Sequence, residues 1–429
     1  MIIAMRAFAL AAVIAFACDS TTTQSLDAPA TSPDTGPPPL DVNAVTVTVT
    51  VGGVPRSGVK AYFTSADNTT TAIRETDATG LTGFDLGSGG YVTVVDAFGE
   101  GSDGKHSLQT WAGVMPRDQL VLDEPIGPGS TFSFNINTVA NGYEYDVTTM
   151  CSGGVPGAGQ LFVTTGSAVA QGASTTACAN PDIYIAAEDM GSNLLAGLWH
   201  ATADVGSGSI DLTTDTFVKS VSGTYSYTNL PASSQTRFDV EQVDANGTIF
   251  TGGLPTATLG SGTATATVPQ EPLFTKLTSL VDTVIITPSD QHDVQTWSQT
   301  ESTSYALDTS GVLLPEITAT PTFDYGSGVL AWTTGTGAVP DAVFAQLVFV
   351  GDPMIDSWEI VAPYGSDGSN ELQFPTISGL APAAADTLQP LLQLMKVFDG
   401  YDSFRARYYV GATARRVGSG EAVFVVRTN

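Results

Sequence analysis

Apolar and polar residues alternate in short runs along the chain from Asn43 onward. The clearest run is Val45–Val51, in which four valines alternate with three threonines. A β-strand would place the valines on one face and the threonines on the other, because successive side chains point to opposite faces of a sheet. Similar runs rich in Val, Thr, Tyr, Ile and Phe recur to the end of the chain, separated by Gly, Pro, Asn and Asp. This pattern predicts an all-β fold.

The length of this patterned region predicts several domains. About 390 residues follow the first 42, which is too many for one ordinary core. The five tryptophans are spread along the region, as expected if each core holds at least one large aromatic side chain. The similar spacing of the runs favours a rod of successive domains. The predicted β-sandwich domains are 43–124, 125–216, 217–311 and 312–429.

Turn motifs stand out in the first predicted domain. They lie in Gly53–Val59, in Thr76–Gly80 with its Asp-x-x-Gly, and in Gly89–Val94 with its Gly-x-Tyr. The glycines would supply positive φ angles, and Asp77 would cap its own turn. This domain resembles the carboxypeptidase-regulatory-like and bacterial immunoglobulin-like modules of secreted bacterial proteins. The resemblance implies a spacer or binding module without a catalytic site of its own. The chain is therefore predicted to hold tandem immunoglobulin-like/transthyretin-like β-sandwich domains.

Two stretches near the C-terminus are harder to assign. Leucines and a methionine in Ala383–Phe398 recur at helical spacing, but Pro390 interrupts them. A proline inside a helix removes a hydrogen bond and clashes with the preceding turn, so the stretch is predicted to be a short helix or an irregular crossover. The β-prone segments Phe404–Val410 and Ala422–Arg427 are predicted to be the last strands.

The first 17 residues have the features of a secretory signal peptide. One positive charge, Arg6, precedes the apolar run Ala7–Ala17. The run is shorter than the roughly 20 apolar residues that a membrane-spanning helix needs. Removal of residues 1–17 would leave Cys18 as the first residue of the mature chain.

The segment Ala15–Cys18 looks like a bacterial lipoprotein signal, in which the cysteine is lipidated and becomes the new N-terminus. It also satisfies an ordinary signal-peptidase site, which would leave a free thiol at Cys18. The cysteine count favours lipidation, because acylation of Cys18 leaves Cys151 and Cys178 as an even pair for one disulfide. A metal site at that pair would lack the usual four ligands, since no histidine is near either cysteine.

The residues after Cys18 favour the same reading. Thr, Pro, Asp and Ser make up most of 18–42, and such a segment cannot bury enough apolar surface to fold. A lipid on Cys18 followed by a disordered tether is therefore predicted for this range.

The charge balance limits the partners. The chain has 15 Lys and Arg against 43 Asp and Glu, for a net charge of −28, which excludes nucleic acid as a partner because phosphate binding needs clustered positive charge. The loop with Asp96, Glu100 and Asp103 is a candidate calcium site, since hard cations take oxygen ligands. Its spacing differs from that of an EF-hand, and a solvated acidic loop is the alternative. No other cofactor is expected.

The last residues oppose the acidic trend. Six of the fifteen basic residues fall in 396–429. They are predicted to pair with carboxylates of neighbouring strands, and a patch that grips an anionic polysaccharide or lipopolysaccharide is the alternative.

Catalytic motifs are missing from the sequence. It contains no Gly-x-Ser-x-Gly, His-Glu-x-x-His, phosphate-binding or dinucleotide-binding motif. The three histidines, His106, His200 and His292, are predicted to be structural or solvent-facing. His200 and Asp204 share a predicted strand face but would lie about 13 Å apart along it. The chain is therefore expected not to be an enzyme.

These observations together predict a lipid-anchored protein of the bacterial cell envelope, at the outer membrane or cell surface. Its partners would be the membrane, through the N-terminal lipid, and a glycan or protein bound by loops at the sandwich ends. The alternative is an exported carbohydrate-active hydrolase with a site assembled from distant residues. A concave site lined by His200, His292 or a pair of carboxylates would indicate the hydrolase.

Overall fold

Strands make up most of the described chain, which confirms the predicted all-β class. All described residues belong to one unit, Leu40–Asn429. The computed structural model describes residues 43–51, 54–97, 99, 104–124, 131–150, 157–162, 168–174, 182–191, 193–201, 203, 209–230, 236–244, 249–250, 257–259, 262–270, 272, 274, 277–286, 292–298, 304–308, 314–365, 369–377, 379–383, 387–397, 400–407 and 422–427.

The first group of strands packs as two facing sheets. Its strands are β1 (Val45–Val51), β2 (Val54–Pro55), β3 (Lys60–Ser65), β4 (Thr70–Glu75), β5 (Leu81–Phe84), β6 (Gly90–Val95), β7 (His106–Val114) and β8 (Gln119–Glu124). One sheet contains β2, β1, β5 and β8, and the other runs β4-β3-β6-β7. Val45, Val47 and Val49 are fully buried between them, while the threonines that separate them are partly exposed. The alternation in β1 therefore predicted its buried face correctly.

The second group repeats this arrangement with two sheets, β12-β9-β15 and β11-β10-β13-β14-β16. Its strands are β9 (Thr131–Ile136), β10 (Glu144–Met150), β11 (Gly157–Phe162), β12 (Ala168–Ser174), β13 (Asp182–Glu188), β14 (Leu194–His200), β15 (Ser209–Asp211) and β16 (Val218–Lys219).

In the third group, β21-β17-β24 form one sheet, and β19, β18, β22, β23 and β20 belong to another. The strands are β17 (Val221–Leu230), β18 (Thr236–Asp244), β19 (Ile249–Phe250), β20 (Ala257–Leu259), β21 (Gly262–Gln270), β22 (Leu277–Ile286), β23 (His292–Ser298) and β24 (Ser304–Asp308).

The fourth group carries the one helix found in the described residues. Its elements are β25 (Ile317–Asp324), β26 (Val329–Thr334), β27 (Ala342–Val350), β28 (Ile355–Pro363), β29 (Glu371–Gln373), β30 (Thr387–Val397), α1 (Gly400–Arg407) and β31 (Ala422–Arg427).

The groups share a strand topology, although the amino-acid sequence shows no residue-level repeat. In the first three groups the opening strand pairs in parallel with a late strand, as β1 with β8, β9 with β15 and β17 with β24. The second sheet follows one order in all four groups: β4-β3-β6-β7, β11-β10-β13-β14, β19-β18-β22-β23 and β28-β27-β30-β31. In the fourth group β25 flanks β26 in the antiparallel direction. What repeats from group to group is therefore the order in which the strands are connected.

One sheet contains strands of the first, third and fourth groups, and the arrangement of successive domains in a rod stays a prediction. Its order is β19-β18-β22-β23-β31-β30-β27-β28-β7-β6-β3-β4. The strand β7 of the first group pairs in parallel with β28 of the fourth, with Leu108 opposite Trp358 and Trp111 opposite Val361. We call this β7–β28 boundary the seam. The four domain boundaries remain predictions, since pairing runs across them.

The sheet at the seam is buried on both faces. On one face Trp111, Val94 and Phe344 pack with the valines of β1. On the other face Trp358 and Leu108 pack with Leu330 and Trp332. Residues from the first and fourth groups contribute to both clusters, so the two groups share their cores.

The structure corrects two predictions near the C-terminus. The segment predicted as a helix or crossover, Ala383–Phe398, contains the strand β30. Pro390 is tolerated because β31 pairs with β30 only at Gln393–Val397, which leaves the strand edge at the proline free of a ladder on that side. The predicted strand Phe404–Val410 overlaps α1 instead. The position of α1 depends partly on Tyr401, whose buried hydroxyl donates a hydrogen bond to the carbonyl of Ala112, 2.6 Å away.

The turn residues of the first group behave as predicted. Asp77 Oδ1 accepts hydrogen bonds from the backbone N–H of Thr79 (2.8 Å) and of Leu81 (3.1 Å). A hydrogen bond from the Thr79 hydroxyl, together with these two backbone bonds, lowers the pKa of Asp77. Gly58 and Gly80 have φ angles of +78° and +74°, a region that residues with a Cβ rarely adopt.

Gly80→Ala is expected to destabilise the protein more than Gly58→Ala. Both changes meet the same backbone strain, about 1 kcal/mol. A Cβ at position 80 would also overlap the carbonyl oxygen of Val49, whereas a Cβ at position 58 would meet no atom within 4 Å. Urea unfolding of the two variants measures the difference, and equal losses would contradict the packing of this turn on β1.

Candidate functional site

A polar cleft of about 370 Å³ lies beside the seam. Its lining includes Arg56, Lys60 and Tyr62 from the first group, together with His106 at the start of β7. Leu380 of the fourth group completes the wall. The cleft therefore uses residues that are more than 300 positions apart in the sequence.

The loop after β6 positions one side of the cleft. Asp96 adopts a φ of +52°, which aspartate tolerates better than most residues. Its Oδ1 accepts a hydrogen bond from the N–H of Ser107 at 3.0 Å. The Nδ1 of His106 lies 2.6 Å from Asp96 Oδ2, so the carboxylate orients the imidazole ring. The backbone N–H of Asp96 donates to the carbonyl of Ser107, which fixes the carboxylate at the base of β7.

Asp96 is also the first residue of the predicted calcium loop. Its carboxylate oxygens are engaged by His106 and Ser107, while Glu100 and Asp103 lie outside the described residues. Within the described part of the chain, no cluster of three metal-ligating side chains occurs. The calcium site stays a prediction.

Contacts between the first and fourth groups hold the cleft in shape. The N–H of His106 donates to the carbonyl of Met354 at 2.7 Å. Asn68 accepts from the N–H of Thr376 at 2.7 Å and donates to the carbonyl of Phe374 at 3.4 Å. These bonds fasten the segment that precedes Leu380 to the turn between β3 and β4.

The cations of the cleft differ from the buried and paired cations elsewhere. Arg56 and Lys60 are exposed. Neither side chain forms an ion pair with any described residue. Lys396 lies 2.9 Å from Asp341, and Arg405 lies 2.8 Å from Asp118. The predicted pairing of C-terminal basic residues is therefore confirmed for Lys396 and Arg405.

Arg405 is the most deeply buried of these cations, with 3% of its side chain exposed. It also pairs with Asp402 at 2.9 Å and donates to the carbonyl of Gly113. Since Gly113 lies on β7, these bonds attach α1 to the first group.

A second polar feature crosses the seam itself. Gln346 of β27, Glu359 of β28 and Gln109 of β7 lie side by side in the register. Gln346 Nε2 donates to Glu359 Oε1 at 2.8 Å. Burial raises the pKa of Glu359 to about 7, and the bond from Gln346 opposes the rise. Gln109 is buried, and its Oε1 has no hydrogen-bond partner among the described residues.

The other predicted residues are placed as follows. His200 pairs with Asp215 at 2.9 Å, a partner that lies beyond β15 and that spacing along one strand did not reveal, whereas Asp204 lies outside the described residues. His292 begins β23, and its side chain is not described. Sequence reasoning missed Arg56 and Lys60; their only signal was two cations close to the turn motif of an acidic chain.

The predicted lipidation and disulfide sites are not reached by the structure. Cys18, Cys151 and Cys178 all lie outside the described residues. Across the described ranges, α1 is the only helix, and no helix there has the length and apolar character needed to cross a membrane.

Comparison with known proteins gives only distant similarity. No family model and no curated protein matches the chain. A tetra-tandem repeat from the extending region of a large adhesion protein is 14% identical, covering 82% of this chain and 94% of its own, with a TM-score of 0.14. The Bacillus anthracis TIE protein is 12% identical over 62% of this chain and 50% of its own, with a TM-score of 0.14. A streptococcal ancillary pilin is 8% identical over 62% and 89%, with a TM-score of 0.16.

Proposed function

We propose that the protein is a lipid-anchored component of the bacterial cell envelope that presents β-sandwich modules for non-covalent binding. Cys18 carries the lipid, and 18–42 form the tether between the membrane and the modules. The modules act in adhesion, scaffolding or the binding of a glycan or protein. The role requires no chemical step by the protein.

The observation that carries this proposal is the seam. Six residue pairs join β28 to β7, and cores on both faces include side chains from the first and fourth groups. A sheet covered on both faces resists bending, because its interior is packed like a crystal. Such a platform holds its loops and its cleft in fixed positions, which is what a surface needs to recognise a partner.

The alternative hydrolase gains no specific support from the cleft. The cleft is lined by His106 and one carboxylate, that of Asp96, among the described residues. A hydrolase was expected to have a concave site lined by His200, His292 or a pair of carboxylates.

Cys18→Ala is expected to abolish incorporation of radiolabelled palmitate and to release the protein from the membrane fraction of a bacterial host. Lipidation needs the thiol of this cysteine, and a single acyl chain already contributes measurable membrane binding. Metabolic labelling and fractionation provide the measurement. Mass spectrometry of the wild-type N-terminus should detect a diacylated or triacylated Cys18.

Cys178→Ala is the matched control, because it removes a thiol without touching the signal, and it should label like the wild type. Protease treatment of intact cells then reports whether the modules face outward. A wild-type protein with an unmodified Cys18 thiol, or one that begins at another residue, would contradict the anchoring.

A further inference from the structure

The cleft beside the seam has a positive rim in a strongly acidic protein. The chain has 15 Lys and Arg for 43 Asp and Glu, yet Arg56, Lys60 and His106 meet at one opening. Isolated cations on such a protein are expected to attract neighbouring carboxylates. The described residues form no ion pair with Arg56 or Lys60, so both can approach an anionic ligand.

Two carboxylates near this rim reduce its positive charge. Asp96 lines the cleft, but its oxygens already accept bonds from His106 and from the N–H of Ser107. Glu75 lies opposite Lys60 in the register of β3 and β4, and both side chains are exposed. Glu75 does not line the opening, so the two exposed cations Arg56 and Lys60 outnumber the one carboxylate of the described lining, that of Asp96, and the charge of the lining favours an anion.

The rest of the lining favours a small polar ligand. A volume of about 370 Å³ is at the small end of ligand sites. The hydroxyl of Ser57 offers a hydrogen-bonding group, while Tyr62 and Leu380 provide an apolar wall. Such a mixture suits a sugar ring, which has polar edges and weakly polar faces.

A peptide fits this place less well. Extended peptides commonly bind β proteins by adding a strand to a free sheet edge. Each strand that lines the cleft has neighbours on both sides: β3 lies between β4 and β6, β6 between β3 and β7, and β7 between β6 and β28. A ligand here must be recognised by side chains and turn backbone.

We propose that this cleft binds the carboxylate of an acidic saccharide, with Arg56 and Lys60 as the carboxylate-binding residues and His106, oriented by Asp96, as a hydrogen-bond donor or acceptor to the sugar. The inference rests on the proposed binding function and specifies its ligand class. Arginine and lysine recognise carboxylates through short charge-assisted hydrogen bonds. Binding at this rim would also weaken as salt is added.

The experiment is calorimetric titration of the full-length mature protein with trigalacturonic acid. Its methyl ester is the matched ligand, because it keeps the sugar rings and removes the charge. Binding of the acid is expected, and the ester should bind about tenfold more weakly or not at all. The double variant Arg56→Ala/Lys60→Ala should bind the acid about tenfold more weakly than the wild type.

The matched control protein is Arg117→Ala/Lys219→Ala, which removes the same charge at exposed positions away from the cleft. It should bind like the wild type, and thermal unfolding should show both double variants folded. The inference is overturned if the acid does not bind, if acid and ester bind equally, or if the Arg56/Lys60 variant is unaffected. Binding of acetyl-trialanine with a free carboxylate in place of the saccharide would overturn it in favour of a peptide ligand.

Failure here is separable from failure of the anchoring role. Palmitate labelling of Cys18 and protease accessibility of the modules do not depend on Arg56 or Lys60. If the protein is labelled and accessible to protease but does not bind trigalacturonic acid, the proposed function stands and only the ligand class is wrong.

Discussion

Trp358→Ala should lower the free energy of unfolding by about 3–5 kcal/mol, the usual cost of deleting a large buried aromatic side chain. Trp358 is 2% exposed, and its ring meets that of Phe374 edge-on, with centroids 5.2 Å apart. Its Nε1–H donates to Thr110 Oγ1 on β7 at 2.9 Å. The alanine would leave a cavity on the fourth-group side of the seam and remove a bond to the first group.

Urea unfolding gives the size of this loss, and hydrogen exchange locates it. Faster exchange is expected in both β28 and β7, because the indole joins the two strands. Trp358→Phe is the control, since it keeps most of the apolar volume and removes only the N–H donor, at a cost of about 1–2 kcal/mol. Unchanged exchange in β7 for the alanine variant would contradict an energetic coupling across the seam.

Glu359 should make the protein less stable as the pH rises from about 4.5 to about 7. Burial raises its pKa to about 7 in the folded protein, against a usual value near 4.5. Between these values the folded state retains a proton that the unfolded state has lost, so the folded state binds more protons and stability falls with rising pH. The full effect is about 3–3.5 kcal/mol, reached above pH 7 and absent below pH 4.5.

The groups that face Glu359 support this assignment. Gln346 on β27 and Gln109 on β7 are its lateral neighbours, and both are uncharged. A protonated Glu359 can donate a hydrogen bond where the carboxylate cannot, and Gln109 Oε1 is a buried acceptor to which no group in the described part of the chain donates. The charged form has only the bond from Gln346 to offset its burial.

Glu359→Gln tests the effect, because the amide keeps the shape and removes the titration. Urea unfolding at pH 5 and pH 8 should show a smaller loss at pH 8 for this variant than for the wild type. Glu371→Gln, at an exposed position on β29, is the matched control and should leave the pH dependence unchanged. Equal pH dependence for the wild type and Glu359→Gln would contradict the raised pKa.

Local patterns in the sequence predicted the strands well where one sheet face is buried. The valines of β1 and the turn at Asp77–Gly80 are examples, because alternation and turn chemistry act over a few residues. The same reasoning failed for β30. Its leucines recur at helical spacing, and its proline lies at an edge position where a strand tolerates proline. It failed again at α1, whose buried Tyr401 and Arg405 bond to groups nearly 300 residues away.

The candidate site was less predictable for the same reason. Asp96 was identified from its acidic loop, but its pairing with His106 depends on how β6 turns into β7. The place of Leu380 beside Lys60 depends on the seam, and nothing local in either segment encodes that approach. His200 pairs with Asp215, 15 residues further along the chain and beyond β15, whereas spacing along one strand had pointed to Asp204.

The parallel pairing of β7 with β28 also sets an order of events for a chain that is synthesised from its N-terminus. Trp358 and its acceptor Thr110 are 248 residues apart, and contacts between such distant residues form slowly because a long loop must close first. Until β28 emerges, Tyr62, Val95 and Leu108 have no fourth-group side chains to cover them. The apolar flank of the first group therefore stays uncovered until the last quarter of the polypeptide is synthesised, and a holding chaperone would protect it during that interval.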